Sequence, residues 1–303
     1  RFSDFTLVAW LVVGKTDEPF IVVLLGFFRF LPFLITGPFT GLVIDRLPRL
    51  LVVRVIGACS TIFTLIIAVL LFLDLVVLWH IFLYTTLIGF TWSVETPAQR
   101  VYMRGIVGSL GITRVLAIEM IAWFGGQLIG SNVAGLGLMF IHPGWLFLLV
   151  ASLMIGSIFL LGGLPTGFTR SLDKGVGSFG KSLAEGFQLV KSSGLLKGSL
   201  LIMGVTNLFA FNFEPLTPVF AVHVMGLGSA LLGLLISAPA IGAMAGAVWL
   251  SLYGHRVHRH GILLTAATMG MMLGNLGLSI SNSFIQSLLS LMLVGASLNL
   301  FIT

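Results

Sequence analysis

Solid apolar runs separated by short polar breaks make up most of the chain. Each run is about 20 residues long, the length of a helix that spans a bilayer, as in STIFTLIIAVLLFLDLVVLW (60–79). The runs do not alternate between apolar and polar residues, as the strands of a membrane barrel do, so they predict helices. The pattern indicates an all-α protein that crosses a membrane repeatedly. The predicted helices cover residues 1–13, 19–43, 50–73, 76–98, 114–140, 144–164, 196–221, 228–252, 261–280 and 283–303.

The two ends of the chain differ from the other runs. The first run, DFTLVAWLVV (4–13), is too short to span a bilayer. The last run reaches Thr303 without a polar flank. We therefore expect the first helix to be truncated and the chain to be cut inside or near membrane helices.

Composition excludes an ordinary water-soluble fold. The chain of 303 residues is 57% hydrophobic and 9% charged, with a mean hydropathy of +1.12, whereas soluble domains are about 25% charged. Its single cysteine, Cys59, rules out a disulfide within the chain and argues against a cysteine-based metal site.

The basic residues are distributed asymmetrically. Thirteen of the sixteen Lys and Arg residues lie in the connections that follow even-numbered predicted helices. Cytoplasmic loops carry such an excess, so the even-to-odd connections are predicted to be cytoplasmic. This topology accounts for the net charge of +6 without a nucleic-acid partner. The thirteen are Arg46, Arg49, Arg54, Arg100, Arg104, Arg114, Arg170, Lys174, Lys181, Lys191, Lys197, Arg256 and Arg259.

The longest polar stretch, 165–195, divides the chain into residues 1–164 with six predicted helices and residues 196–303 with four. Within it, KSLAEGFQLVKSS (181–193) has apolar residues at helical spacing. This segment is either a short amphipathic helix on the membrane face or an ordinary solvated linker. We expect a cytoplasmic linker between two halves.

Motifs for bound cofactors fail their context tests. GVGSFG (175–180) fits a dinucleotide pattern, but no strand precedes it. HRVHRH (255–260) has metal-like spacing without a nearby carboxylate or cysteine, and a basic loop explains it better. The chain has no P-loop, H-E-x-x-H or G-x-S-x-G sequence. We therefore expect no metal, no cofactor, no ATP-driven transport and no enzyme activity.

The connection between the second and third predicted helices carries a family resemblance. GLVIDRLPR (41–49) resembles the G-x-x-x-D-R-x-G-R signature of the major facilitator superfamily, with Pro48 in place of the second glycine. The resemblance implies a charge relay at a cytoplasmic gate, formed by Asp45 with Arg46 or Arg49. It also implies that Gly41 permits close approach of helices.

Two further residues belong to this expected gate. Glu95 precedes TPAQR (96–100) at the inner end of the fourth predicted helix. We expect Glu95 to pair with Arg100 rather than to bind substrate.

The fifth predicted helix carries a second resemblance. GGQLIGSNVAG (125–135) is similar to the antiporter motif G-x-x-x-G-P-x-x-G-G, through Gly126, Gly130 and Gly135, with Ser131 where proline is usual. The alternative is a stripe of small residues that only packs helices.

The order of features resembles the bacterial exporters that include the enterobactin exporter and macrolide efflux proteins. RFLP (29–32), TPAQR (96–100), EGFQLVKSSGLLKGSLL (185–201) and EPLTPVFAVHVMGLGSALLGLL (214–235) carry this resemblance. It implies the major facilitator fold with six helices in each half, of which helices 11 and 12 are missing here. It also implies a monomer in the plasma (inner) membrane.

Charged residues at membrane depth are candidates for function because they are costly to bury. Asp4 and Arg29 each lie about ten residues, or roughly 15 Å, from the outer ends of adjacent antiparallel helices. We expect them to pair, either as a structural ion pair or as a proton-sensitive one. Glu214, in the proline-interrupted FNFEPLTP (211–218), is expected to bind substrate or protons.

Glu119 lies one or two turns inside the fifth predicted helix. It is expected either to bind protons or a cationic substrate, or to pair with Arg114 or Arg104 near the gate. Burial favours the neutral form of a carboxyl, so buried acids can exchange protons near neutral pH.

These features favour a proton-coupled exporter of amphipathic small molecules such as drugs, macrolides or siderophores. Its expected partners are the substrate, protons and the lipid bilayer. Import of a nutrient or metabolite by the same fold is the first alternative. A membrane scaffold or sensor that transports nothing is the alternative from another class.

Overall fold

The computed structural model describes residues 2–164, 188, 190–209, 213–253 and 260–302. In these ranges the regular structure is helical and contains no strand, which confirms the all-α prediction. The amphipathic helix considered within 181–193 lies mostly outside them. The helices are α1 (Phe2–Val13), α2 (Pro19–Arg46), α3 (Arg49–Phe72), α4 (Leu78–Phe140), α5 (Pro143–Gly162), α6 (Gly194–Phe209), α7 (Phe213–Val219), α8 (Ser229–Tyr253), α9 (His260–Ser279) and α10 (Phe284–Ile302).

The connection predicted at 99–113 is helical, so the fourth and fifth predicted helices form one element, α4, of 63 residues. The two predicted helices are separate on either side of a kink, and only the length of the connection was wrong, because arginine-rich sequence extends a helix as readily as it ends one. Only Gly108 departs from helical geometry, with φ 68° and ψ −174°. This left-handed φ suits glycine, which has no Cβ to clash. It divides α4 into an N-terminal arm (78–107) and a C-terminal arm (109–140).

The seventh predicted helix is not a regular α-helix along its whole length. α7 is followed by a π-helical turn, Phe220–Val224. Pro218 lies inside α7 and has no N–H to donate to the preceding turn. The sequence predicts an interruption near Pro215 and Pro218, and the change of helix type just after Pro218 agrees with that prediction.

Several helices are long and apolar enough to cross a membrane, namely those within Pro19–Gly37, Arg49–Phe72, Pro143–Gly162, Ser229–Leu250, Gly261–Ser279 and Phe284–Phe301. Their outward surfaces are apolar as well. Leu34, Phe140 and Leu160 are each about four-fifths exposed (79%, 80% and 81%). So many exposed large apolar side chains are typical of a protein that is surrounded by lipid.

The connections between helices lie at two faces of the molecule. Lys15, Asp74 and His142, from the α1–α2, α3–α4 and α4–α5 connections, line one pocket together. We call this side the Lys15 face, and it is the side predicted to be extracytoplasmic. The opposite side carries Arg49 at the start of α3 and the break at Gly108. We call it the arginine face.

Two helix pairs pack in the same way in the N-terminal helices (α1–α5) and the C-terminal helices (α6–α10). A Cβ on Gly89 of α4 would collide with the Arg29 carbonyl and the Pro32 ring of α2. A Cβ on Gly295 of α10 would collide with the Pro239 carbonyl of α8. In each set a glycine lets one helix lie directly on the backbone of another beside a proline.

The N-terminal and C-terminal helices meet along a seam between the C-terminal arm of α4 and α8. A Cβ on Gly135 would lie 2.9 Å from the Gly233 Cα, so the two backbones touch there. Asn132 Nδ2 donates to Ser237 Oγ at 2.9 Å, and Gln127 Nε2 donates to the Ile236 carbonyl at 3.0 Å. Since the C-terminal arm ends at the Lys15 face, these contacts close the molecule on that side.

Gly89→Ala should destabilise the protein, because the added methyl meets the α2 backbone. We expect a loss of about 1–3 kcal/mol, the usual effect of overpacking. Gly125→Ala in the same helix is the matched control, since nothing lies within 4 Å of its Cβ position. The apparent melting temperature of purified protein in detergent checks this. Equal melting temperatures for the two variants would contradict the packing.

Candidate functional site

Asp4 and Arg29 form a buried ion pair, as the sequence predicts. Arg29 Nη1 donates to Asp4 Oδ2 at 3.0 Å, and the two side chains are 3% and 0% exposed. The short connection between α1 and α2 makes these helices antiparallel neighbours. Residues equally far from that connection therefore lie at one depth, and the pair forms.

Tyr84 completes this pair and was not predicted. Its hydroxyl donates to Asp4 Oδ1, and Thr64 Oγ1 lies 3.3 Å from the same hydroxyl. A tyrosine in the interior of an apolar helix, away from either face, was the available signal, because a buried hydroxyl needs a partner. The Asp4 carboxylate is thus held by donors from α2 and α4.

Aromatic rings surround the Arg29 side chain. Its guanidinium carbon lies 5.2 Å from the Phe5 ring centroid and 5.6 Å from the Trp92 centroid. Trp92 stacks on Trp123 at 5.6 Å, and Phe2 meets Trp123 edge-on at 5.2 Å. Both indoles belong to the interior of α4, one on each arm, and they join the arms at mid-depth. Cation–π attraction in this apolar surrounding stabilises the arginine charge.

Glu214 brings a second acid towards Arg29 from the C-terminal helices. A Cβ on Gly26, one turn before Arg29, would lie 2.5 Å from the Cβ of Pro215. α7 therefore packs directly on α2 beside Glu214, one turn from Arg29. The two acids in this region thus come from α1 and α7, which belong to different sets of helices.

A small cavity adjoins Glu214 where the two sets of helices meet. Its volume of ≈ 10 Å³ has room for about one water molecule. It is lined by Gln127 of α4, Phe213, Glu214 and Thr217 of α7, and Ile236 and Pro239 of α8. In this closed conformation Glu214 therefore faces a polar pocket that is too small for an organic substrate.

Glu119 pairs with a different arginine from those expected. Arg100 Nε donates to Glu119 Oε1 at 3.0 Å, and Glu119 Oε2 is buried without a hydrogen bond to the described residues. The expected partner of Glu119 was Arg114 or Arg104, and the side chain of Arg114 lies outside the description. The break at Gly108 explains the difference, because it folds the C-terminal arm of α4 back against the N-terminal arm and brings Glu119 to Arg100.

Glu95, expected to pair with Arg100, accepts a hydrogen bond from Gln99 Nε2 at 2.7 Å. The described ion pair of Arg100 is the one with Glu119. The two acids and Arg100 therefore lie on the arginine-face side of the aromatic rings.

The 2–3 connection is described only in part. The side chains of Asp45 and Arg46 fall outside the description, so their expected charge relay stays a prediction. Among the described residues, nothing lies within 4 Å of a Cβ position on Gly41. Arg49 is half-buried at the start of α3.

Arg54, predicted only as one of the basic residues of a cytoplasmic connection, binds the end of another helix. Its Nη2 donates to the Leu161 and Gly162 carbonyls at 2.5 and 3.2 Å. These carbonyls lie at the end of α5, where a cation is favoured by the helix dipole.

The antiporter-like segment contributes to packing at two of its glycines. A Cβ on Gly130 would lie 2.7 Å from Ser3 Oγ of α1, and Gly135 contacts α8 at the seam. Gly126 has nothing within 4 Å. The Ser131 hydroxyl, where the motif has proline, is fully buried without a described hydrogen bond.

Comparison with known proteins identifies the fold. No protein-family model and no curated protein sequence matches the chain. A crystal structure of the nucleoside transporter NupG (D323A mutant) matches it with a TM-score of 0.57 and 17% identity, over 99% of this chain and 78% of that one. The chain has the major facilitator fold. With its apolar spanning helices, it is a multi-pass membrane protein.

Asp4→Asn should destabilise the protein strongly, because it removes the ion-pair partner of the Arg29 charge at membrane depth. We expect a loss of about 3–5 kcal/mol, as when one partner of a buried ion pair is removed. The double variant Asp4→Asn/Arg29→Met should lose less than the single one. Thermal unfolding of the three proteins in detergent checks the order, and a double variant less stable than Asp4→Asn would contradict it.

Proposed function

We propose that the protein is a secondary active transporter that exports amphipathic small molecules in exchange for protons by alternating access. The observation that supports this most directly is the packing of Gly26 against Pro215, which places Glu214 of the C-terminal helices near the buried Asp4–Arg29 pair of the N-terminal helices. A transporter of this fold works by rocking one set of helices against the other around a central site. That motion changes the surroundings of any charged residue that lies at the contact between the two sets of helices.

The acids account for the coupling. Asp4 is fully buried and Glu214 lies beside a polar cavity at the seam. Burial favours the neutral form of a carboxyl, whereas a nearby guanidinium favours the charged form. Opening the seam changes both the burial of Glu214 and its distance from Arg29, so its tendency to hold a proton changes with the conformation. Protons and substrate then compete for one site, and no ATP is needed.

The faces have separate roles in this proposal. The Lys15 face is extracytoplasmic and the arginine face cytoplasmic, in the plasma membrane, because of the distribution of Lys and Arg. The protein works as a monomer with the substrate, protons and lipid as its partners. Glu119 adds a second candidate proton site, and the antiporter-like segment (Gly126, Gly130, Ser131 and Gly135) contributes Ser131 and Gly135 to the seam. The cytoplasmic gate comprises Gly41, Asp45, Arg46, Arg49, Glu95 and Arg100.

Import is the second candidate function. The matched solved structure is that of a nucleoside transporter, and the stacked indoles of Trp92 and Trp123 offer faces on which a planar base could stack. A nucleoside taken inward by proton symport would use the same Arg29-centred site. Direction of transport therefore distinguishes the candidates.

Glu214→Gln tests the proposal in cells that produce the full-length protein. The substitution keeps the shape of the side chain and removes its exchangeable proton. We expect efflux of a hydrophobic cationic dye to fall about tenfold or more, equivalent to roughly 1.4 kcal/mol, with loss of dye-driven proton movement in inverted vesicles.

Glu18→Gln, exposed at the Lys15 face, is the matched control and should behave as wild type. Labelled uridine is assayed alongside the dye. Accumulation of uridine that depends on Glu214, with no dye efflux, would replace export by import. Unchanged dye retention and proton movement in Glu214→Gln would contradict the mechanism.

A further inference from the structure

The cavity at the Lys15 face is larger than the one beside Glu214 and is lined by the N-terminal helices alone. Its volume is ≈ 200 Å³, whereas a cavity of about 150 Å³ holds benzene. Its polar lining consists of Lys15, Asp74 and His142, and its other lining residues are apolar. The three polar residues are exposed, so a small molecule can enter the cavity from this face.

Asp74 occupies a backbone position that suits glycine better. α3 ends at Phe72, and the Asp74 amide donates back to the Leu71 carbonyl at 3.2 Å. The Leu75 amide donates to the Leu70 carbonyl at 3.0 Å. These two bonds form a Schellman motif, in which the residue at the position of Asp74 has a left-handed backbone and is usually glycine. Asp74 has a φ of 55°, and its Cβ carries a steric cost there that glycine would avoid.

The charge of Asp74 is unfavourable at this place as well. The C-terminal end of a helix carries a partial negative charge, so it repels a carboxylate that directly follows α3. Among the described residues, neither Asp74 nor Lys15 forms an ion pair, although both line one cavity. A carboxylate held against steric and electrostatic cost, without a partner, indicates a role beyond packing.

His142 adds a hydrogen-bond donor of fixed orientation. It precedes α5, and its Nδ1 accepts a hydrogen bond from the Gly144 amide at 3.2 Å. Because Nδ1 is an acceptor, the neutral imidazole carries its proton on Nε2 and can donate from there. The ring stacks on Phe72 with centroids 5.5 Å apart, which fixes its plane. The cavity therefore offers the Lys15 ammonium and the His142 N–H as donors and the Asp74 carboxylate as an acceptor.

We propose that this cavity binds a small zwitterion, with its anionic group at Lys15 and His142 and its ammonium group at Asp74. An anion alone would face the Asp74 carboxylate, and a cation alone would face the Lys15 ammonium. A ligand with both charges satisfies the whole polar lining, and the apolar residues suit the few carbons between them. Free amino acids and the phosphoethanolamine headgroup of a lipid share this chemistry.

The site is independent of the proposed transport function. It shares no lining residue with the cavity beside Glu214, and its lining comes only from α1, α3, α5 and the connections between N-terminal helices. Occupation therefore does not require the seam to open.

Binding of phosphoethanolamine to the purified protein in detergent tests the inference without any transport. A ligand that binds the folded state raises the melting temperature, with a saturable dependence on its concentration. Ethanolamine alone and inorganic phosphate alone each carry one half of the zwitterion. Both should bind about tenfold more weakly or worse, since each lacks one charged hydrogen bond. Tryptophan fluorescence follows the unfolding.

Two variants remove one charge each from the cavity. Lys15→Gln and Asp74→Asn should weaken binding about tenfold or more. Asparagine keeps the backbone of Asp74, because it also adopts the left-handed conformation. Asp17→Asn is the matched control, since Asp17 is exposed two residues from Lys15 and does not line the cavity. It should bind phosphoethanolamine as wild type does.

Asp74→Gly separates binding from folding. Glycine suits the left-handed position, so the ligand-free variant should melt at or above the wild-type temperature. The same variant should lose binding, because it lacks the carboxylate. A purely structural role of Asp74 would instead lower the melting temperature of the ligand-free protein.

Glycine and dihexanoyl phosphatidylethanolamine distinguish a free amino acid from a lipid headgroup. The source is the compound that raises the melting temperature at the lower concentration and requires both Lys15 and Asp74. The lack of a saturable shift with any of the three zwitterions would overturn the inference. An equal shift in Asp74→Asn and wild type would also overturn it, as would ethanolamine or phosphate binding as tightly as phosphoethanolamine.

Discussion

A positive charge buried at membrane depth is the constraint on which the rest of the site depends. An unpaired arginine in an apolar surrounding is costly, and the structure offsets that cost with Asp4 and two aromatic rings, while Glu214 lies in the helix that packs on α2 one turn away. Asp4 and the rings belong to the N-terminal helices, whereas Glu214 belongs to the C-terminal ones. The groups around the Arg29 charge therefore come from both the N-terminal and the C-terminal helices.

Close packing makes this electrostatic contact sensitive to position. Gly135 lies against Gly233, and Gly26 against Pro215, at separations that leave no room for an added side chain. Surfaces that fit this closely separate as units rather than deform gradually. Opening the seam would thus remove Glu214 from Arg29 in one step, while Asp4, Arg29 and Tyr84 stay together. A proton-coupled transporter requires such a coupled change of geometry and charge.

The apolar runs predict the helices well because hydrophobic length and backbone hydrogen bonding in lipid leave few alternatives. They also place Asp4 beside Arg29, since antiparallel neighbours share depth. Tyr84 is not predictable in this way, because its contact depends on how α4 is rotated about its axis. The Arg100–Glu119 pair depends on the break in α4 at Gly108. The pattern of apolar residues does not reveal that break. Contacts across the seam link residues about a hundred positions apart, such as Asn132 and Ser237, and depend on tertiary packing.

Covalent closure of the seam tests the central claim most directly. Asn132 and Ser237 are joined by a side-chain hydrogen bond of 2.9 Å between the C-terminal arm of α4 and α8. Cysteines at these two positions, in a Cys59→Ala background, can be bridged by a short thiol cross-linker cleavable by reductant. If the sets of helices must separate there, the bridged protein will lose proton-coupled transport and recover it on reduction. Full transport by protein that is quantitatively cross-linked would contradict the account.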